Sequence, residues 1–275
     1  VIAEHTTVVN DLETRYLAGG EGHESTVVFL HDGAWGASAD VTWGTLLPLA
    51  ARTHRVVAPD LLGFGGSAKA VRLDQPPFGF RLRHVYALLD QLGIDGPVHL
   101  VGNSFGGSIA LRALLDPRLS GRIASAASIS GTGGPWRSAA SAELAGYDGT
   151  RADMARLVRL LCDDYPGIED QIDARTRWAA APGHYAGMLA PHATPPEPLR
   201  VTRPADPYPA PFAGVTTPVL LFDCAGDPLV ERGWVKHLAD LTPAVTVATV
   251  PYRHAPNISH PEATWRLLAD FVNGA

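Results

Sequence analysis

The sequence predicts an α/β chain: a mostly parallel sheet with helices on both faces and an inserted helical lid. Three observations carry this. Short apolar runs alternate with segments whose apolar residues recur every three or four positions, up to Ser130 and again from Pro218. The run Thr26-Val27-Val28-Phe29-Leu30 has no polar alternation, as a strand covered on both faces requires. From Gly131 to about Thr216 the rhythm stops, and the chain becomes rich in Gly, Pro, Ala and Arg with helical stretches. We therefore expect a core over 1–131 and 217–275 and a lid over 132–216.

Each element follows in order. Thr6 to Val9 and Thr14 to Leu17 read as two short strands joined by Asn10-Asp11, a hairpin turn. After the strand at 26–30 comes a Gly/Ala-rich loop, His31 to Ala37, then a helix over Val41 to Ala51. His54 to Ala58 is a strand ending at Pro59-Asp60. Leu82, Val85, Leu88, Leu89 and Leu92 give one apolar face to a helix over Arg81 to Leu92. A strand at 97–101, a turn, a helix from Ile109 and a strand over Ile123 to Ser130 follow. In the lid, Met154 to Leu161 and Ile168 to Ala180 read as helices, and the proline-rich 191–211 as an irregular return. Pro218 to Phe222 is a strand, a helix starts near Val230, Val245 to Val250 is a strand, and Pro261 to Val272 a final helix.

The chain has 275 residues, 46% of them hydrophobic, which suffices for one large core. A net charge of −6 argues against a nucleic-acid partner. No apolar stretch approaches the roughly 18 residues of a membrane helix. The start, Val-Ile-Ala-Glu-His, lacks the basic and apolar regions of a signal peptide. The two cysteines, Cys162 and Cys224, lie far apart without metal-ligand spacing. Reduced buried thiols in a cytoplasmic protein are expected, with no metal, no cofactor and a small-molecule partner. A homodimer is a further expectation.

Residues 102 to 107 read Gly-Asn-Ser-Phe-Gly-Gly, between an apolar run and a helical pattern. Strand, Gly-x-Ser-x-Gly turn and helix form a nucleophile elbow that holds Ser104 exposed above a sheet. A serine hydroxyl needs a general base, and the base needs an orienting carboxylate. Downstream, Asp223 and Asp227 are the candidate acids. Gly226 and Pro228 put Asp227 in a loop beyond the carboxyl end of the strand at 218–222, where open α/β sheets place function. His254 and His260 are the candidate bases. His254 sits in a loop after a strand, whereas His260 precedes Pro261 and reads as a helix-entry residue. Developing negative charge needs backbone N–H donors. Phe105 supplies one, and the loop after the strand at 26–30 supplies the other, Gly33 first and Ala34 next.

These motifs together resemble the α/β-hydrolase superfamily over essentially the whole chain, with Asp60 to Ser67 and His254 to Phe271 as supporting pieces. The resemblance favours Asp227 as acid and His254 as base. Within it, the chain looks most like the meta-cleavage product hydrolases, which cleave carbon–carbon bonds in vinylogous diketones from aromatic-ring degradation. Gly102-Asn103-Ser104 matches their elbow, and His31 to Ala37 resembles their His-Gly-Gly-Gly-Pro-Gly-Ala loop. The six-residue step from His254 to His260 also matches. Thr176-Arg177-Trp178 resembles the place where these enzymes carry an arginine for the substrate carboxylate, a task suited to a guanidinium. The other reading of Arg177 is an exposed lid residue. The resemblance makes Asn103 and Arg177 substrate-binding candidates; Trp178 and Trp136 are added as apolar pocket liners, with Phe105 and Tyr185 as further ones. The departures are Asp32 and Ala34 for glycines, Trp35 for proline, Ala255 for the usual tryptophan, and Thr42 for a pocket asparagine.

The expected activity is serine-dependent hydrolysis, with a carbon–carbon bond favoured as target. A carboxylesterase or lactonase on the same triad is the alternative. A non-catalytic ligand-binding protein on this fold is a third reading.

Overall fold

The computed structural model describes residues 1–192, 194, 196–200 and 205–275. An eight-stranded sheet runs through its centre in the order β1-β2-β4-β3-β5-β6-β7-β8. β1 (Ala3–Val9) and β2 (Leu12–Gly19) form the expected antiparallel hairpin. Asn10 and Asp11 have φ of 49° and 62°. A two-residue turn that matches strand twist needs positive φ at both positions, and Asn and Asp tolerate it. β2 pairs antiparallel with β4 (Arg55–Pro59). The remaining pairs are parallel and join β3 (Thr26–Leu30), β5 (Val98–Asn103), β6 (Ile123–Ile129), β7 (Val219–Cys224) and β8 (Val245–Val250).

β3 shows why its sequence is apolar without alternation. Val28 and Leu30 enter the core on one face, and Val27 and Phe29 enter the core on the other. Helices α3 (Gly79–Gln91) and α4 (Phe105–Ala113) close the first face through Leu82, Val85, Leu89 and Ile109. Helix α10 (Pro261–Gly274) closes the second through Leu268 and Val272, beside Trp43 and Leu47.

Three elements differ from the sequence expectation. The helix over Val41 to Ala51 is two pieces, α1 (Ala39–Trp43) and α2 (Leu47–Ala50). A continuous helix would bring the Pro48 ring against the Gly44 carbonyl, whereas the first turn of α2 tolerates a proline. The helix from Val230 shrinks to α8 (Lys236–Ala239), because Gly233 at φ 72° interrupts the run. Finally, Pro256 to Ser259 forms a short helix, α9 (Pro256–Ser259), where a loop was expected.

Between β6 and β7 the chain passes through α5 (Arg151–Leu161), α6 (Ile168–Ala179) and α7 (His184–Leu189), and no described residue there adds a strand to the sheet. Thr150 caps α5 by accepting the Asp153 amide at 3.1 Å. Met154, Leu157, Val158 and Ile172 of α5 and α6 pack around Trp35, so this segment docks on the loop after β3. Of the return at 191–211, residues 193, 195 and 201–204 lie outside the described residues. Both cysteines are free and buried, and burial pushes their thiols up to about 12. Among the described residues, no helix is long and apolar enough to cross a membrane.

Candidate active site

β5 ends at Asn103 and α4 begins at Phe105, so Ser104 alone makes the bend, with φ 53° and ψ −111°. Such a conformation costs of order 1–3 kcal/mol and survives only where its surroundings enforce it. Here they do. The Ser104 N–H donates to the Ile129 carbonyl at 2.7 Å. A Cβ on Gly102 would lie 2.2 Å from the Gly106 backbone, and one on Gly106 would lie 2.1 Å from the Leu30 carbonyl oxygen. The glycines let helix and strands approach closely enough to force the serine outward.

Ser104 and His254 line one cavity of about 290 Å³. His254 is buried, and its Nδ1 lies 2.7 Å from Asp227 Oδ2. The other Asp227 oxygen accepts the Leu229 amide at 2.8 Å. Burial opposes the Asp227 carboxylate, but its interaction with His254 and the hydrogen bonds of the Leu229 amide and Ser130 outweigh it and hold the group below the usual range. With Nδ1–H donated to Asp227, Nε2 is left as the acceptor, and that atom has no partner among the described residues. The rival residues lie elsewhere. Asp223 lies within β7, one residue before its end, and forms no hydrogen bond or ion pair with either histidine, while His260 stacks on Tyr252 at 3.9 Å and meets Asp163 at 3.2 Å. His260 opens α10, where its carbonyl accepts the Thr264 amide at 3.0 Å.

Gly33 and Phe105 also line the cavity, and the site a Cβ on Gly33 would occupy is 2.9 Å from the Phe105 Cβ. Phe105 opens α4, so its N–H has no helical carbonyl to serve. No hydrogen bond occupies the Gly33 N–H among the described residues. Ala34 differs from expectation: its amide donates to Asp32 Oδ1 at 2.9 Å and is not free for a substrate oxygen.

A family model described as the alpha/beta hydrolase family matches residues 27–267. The chain belongs to the alpha/beta hydrolase family. Within this family it is 34% identical over 172 residues to a 2-hydroxy-6-oxo-6-(2'-aminophenyl)hexa-2,4-dienoic acid hydrolase of Metapseudomonas resinovorans, a match covering 61% of this chain and 57% of that protein. The aligned part thus spans little more than half of that curated relative. A serine hydrolase involved in carbazole degradation superposes with a TM-score of 0.82 at 25% identity, over 100% of both chains. A Bacillus subtilis carboxylesterase superposes with a TM-score of 0.77 at 19% identity, over 100% of this chain and 93% of that one, a likeness of fold alone.

The substrate-binding candidates Asn103, Arg177, Trp178 and Trp136 fall outside the cavity walls, as does Tyr185. Asn103 is fully buried beneath the site and donates to the main-chain carbonyls of His254 at 3.0 Å and Ile129 at 3.2 Å. It ties the histidine loop to the elbow, which makes it a positioning residue. Arg177 points to solvent. The inner stripe of α6 is Gln171, Ile172, Arg175 and Ala179. Two residues of helix are about 200° of rotation, so Arg177 is turned away from it. Trp178 donates to Asp40 at 3.2 Å and lies under the Arg15 guanidinium. Trp136 stacks on His237 at 4.6 Å. Tyr185, the further liner, is exposed against Trp35.

Sequence reasoning missed Arg175. It is fully buried, and its Nη2 and Nη1 meet the two Asp32 oxygens at 2.7 and 3.2 Å. Thr42 donates to the same carboxylate at 2.7 Å. Burial alone would raise the Asp32 carboxyl, but Arg175, Thr42 and the Ala34 amide together hold it at about 2. Asp32 therefore turns its carboxylate to Arg175, Thr42 and the Ala34 amide and braces the loop after β3.

The same loop is held by His184 of α7, whose Nε2 accepts the Gly36 amide at 3.0 Å. Burial, with Lys69, His31 and Arg175 nearby, pushes this imidazole down to about 4 from the ordinary 6.5. The unfolded chain therefore takes up a proton that the folded chain refuses, and stability falls as pH drops from about 6.5 toward about 4. Denaturant midpoints measured between pH 7.5 and 4.5 should decline over this window. They should decline less in His184→Gln, which keeps an acceptor for Gly36.

Proposed function

We propose that the protein is a serine-triad hydrolase that cleaves a carbon–carbon bond in a small keto acid of aromatic origin. The observation that carries the hydrolytic reading is the buried Asp227–His254 pair: the ring lines the same cavity as Ser104, and its Nε2 has no hydrogen-bond partner among the described residues. In this reading His254 takes the proton of Ser104 or of a water. Asp227 fixes the tautomer and stabilises the imidazolium. The N–H groups of Gly33 and Phe105 receive the oxyanion, and no cofactor takes part. If the scissile bond is C–C, His254 also serves the proton transfer that first ketonises the substrate. The segment 132–216 acts as a lid that excludes water. The relative from Metapseudomonas resinovorans supports the C–C target.

A second reading, ester hydrolysis on the same triad, is favoured by Arg175, whose charge is already neutralised by Asp32. Turnover of a vinylogous diketone acid beside a panel of aryl esters separates them. Diketone cleavage is expected, and rapid ester turnover without it would overturn the C–C reading. We also propose pairing of two copies, for which the terminal strand β8 with its exposed Val247 is the candidate surface, and a cytoplasmic location, with which the free thiols agree.

A further inference from the structure

We propose that Arg81, on the α3 wall of the cavity, binds a carboxylate of the substrate and makes the site prefer acids over their neutral analogues. The proposal rests on the cavity being the substrate site. It places the anion partner on a core helix, away from the lid helix α6.

The argument starts from an imbalance. Among the described residues, three arginines are almost fully buried: Arg15, Arg81 and Arg175. Arg15 has Asp60, Asp40 and Glu4, and Arg175 has Asp32. Arg81 forms no ion pair among the described residues. Its Nε donates to the Leu62 carbonyl at 2.7 Å and its Nη1 to the Pro77 carbonyl at 2.8 Å. These bonds fix the plane of the guanidinium but supply no opposite charge. The third nitrogen, Nη2, has no partner among the described residues and is not sealed from the cavity. The rings of Phe80, Phe105 and Phe64 lie 4.5, 5.3 and 5.6 Å from its central carbon. Aromatic faces attract a cation without neutralising it.

The cavity deepens the imbalance. Arg137 stands in its wall as a second cation, and no Asp or Glu is among its described lining residues. Burial lowers Arg81 to about 10, so it is still charged at neutral pH. A buried charge without a counter-ion is costly, and that cost is relieved when an anion arrives. A planar carboxylate suits a guanidinium edge. Phe64, Phe105 and Met188 provide apolar wall for the rest of a small acid.

Calorimetric titration of the full chain with phenylacetate and phenylacetamide tests this without any turnover. A failure here is therefore distinct from a failure of the hydrolytic reading. The acid is expected to bind about tenfold or more tightly than the amide, a preference that Arg81→Gln reduces to near unity and Arg137→Gln largely keeps. Equal binding of the two by the unaltered protein would overturn the proposal, as would an unchanged preference in Arg81→Gln. A crystal structure of the unaltered protein with phenylacetate decides the matter if the variant fails to fold. The carboxylate on Arg81 Nη2 supports the proposal; a carboxylate elsewhere, or an empty cavity at saturation, overturns it.

Discussion

Ser104→Ala is expected to lower kcat by at least about 10³-fold while leaving the protein folded and substrate affinity within a few-fold. The folded state should survive because alanine keeps the Cβ that the bend already accommodates, and the Ser104 N–H still reaches the Ile129 carbonyl. The rate should collapse if Ser104 is the nucleophile of the proposed triad: it lines the same cavity as His254, whose Nε2 has no other partner among the described residues. His254→Ala should cost about as much, and the double variant little more, since residues of one triad act as a unit. A serine-directed phosphonate should label Ser104 in the unaltered chain. A chain that resists the probe and turns over no substrate would be a ligand-binding protein on this fold. Activity retained within tenfold in Ser104→Ala would move the nucleophile elsewhere.

The sheet was legible because strands covered on both faces leave an unmistakable mark, as β3 does, and because turn chemistry at Asn10-Asp11 is local. The elbow was legible for the same reason: its glycines and serine are adjacent in sequence. His254 and His260 differ by position, since one follows a strand and the other opens a helix, and the family resemblance favours the first. What escaped depends on rotation and on distant partners. Arg177 reads as a lid arginine for the substrate, but the spacing of Ile172, Arg175 and Ala179 marks the inner face of α6 and turns Arg177 away from it. Asn103 reads as a pocket residue, but its side chain donates to a carbonyl 151 residues away. Arg81 gave no signal, because a charged residue in the first turns of an amphipathic helix ordinarily faces water.

Asp32→Ala is expected to destabilise the fold by about 3–5 kcal/mol, the usual cost of removing one partner of a buried ion pair. Arg175 would be left fully buried, its charge opposed by nothing stronger than the Trp35 carbonyl at 3.3 Å. The Ala34 amide and the Thr42 hydroxyl would lose their acceptor in the same step. Most of this loss is the isolated charge, so Asp32→Ala with Arg175→Met should recover much of it. Urea midpoints for the two single variants and the double variant form the cycle that measures the coupling. A single Asp32→Ala within about 1 kcal/mol of the unaltered chain would show that water reaches Arg175 and that the pair is not buried in solution. Acid gives the same answer without mutation. The Asp32 carboxyl is held at about 2 against an ordinary 3.8, so its contribution is complete above 3.8 and is lost as pH falls through about 2. That loss lies below the histidine window, so two separate acid losses are expected, and only the lower one should disappear when Asp32 and Arg175 are replaced together.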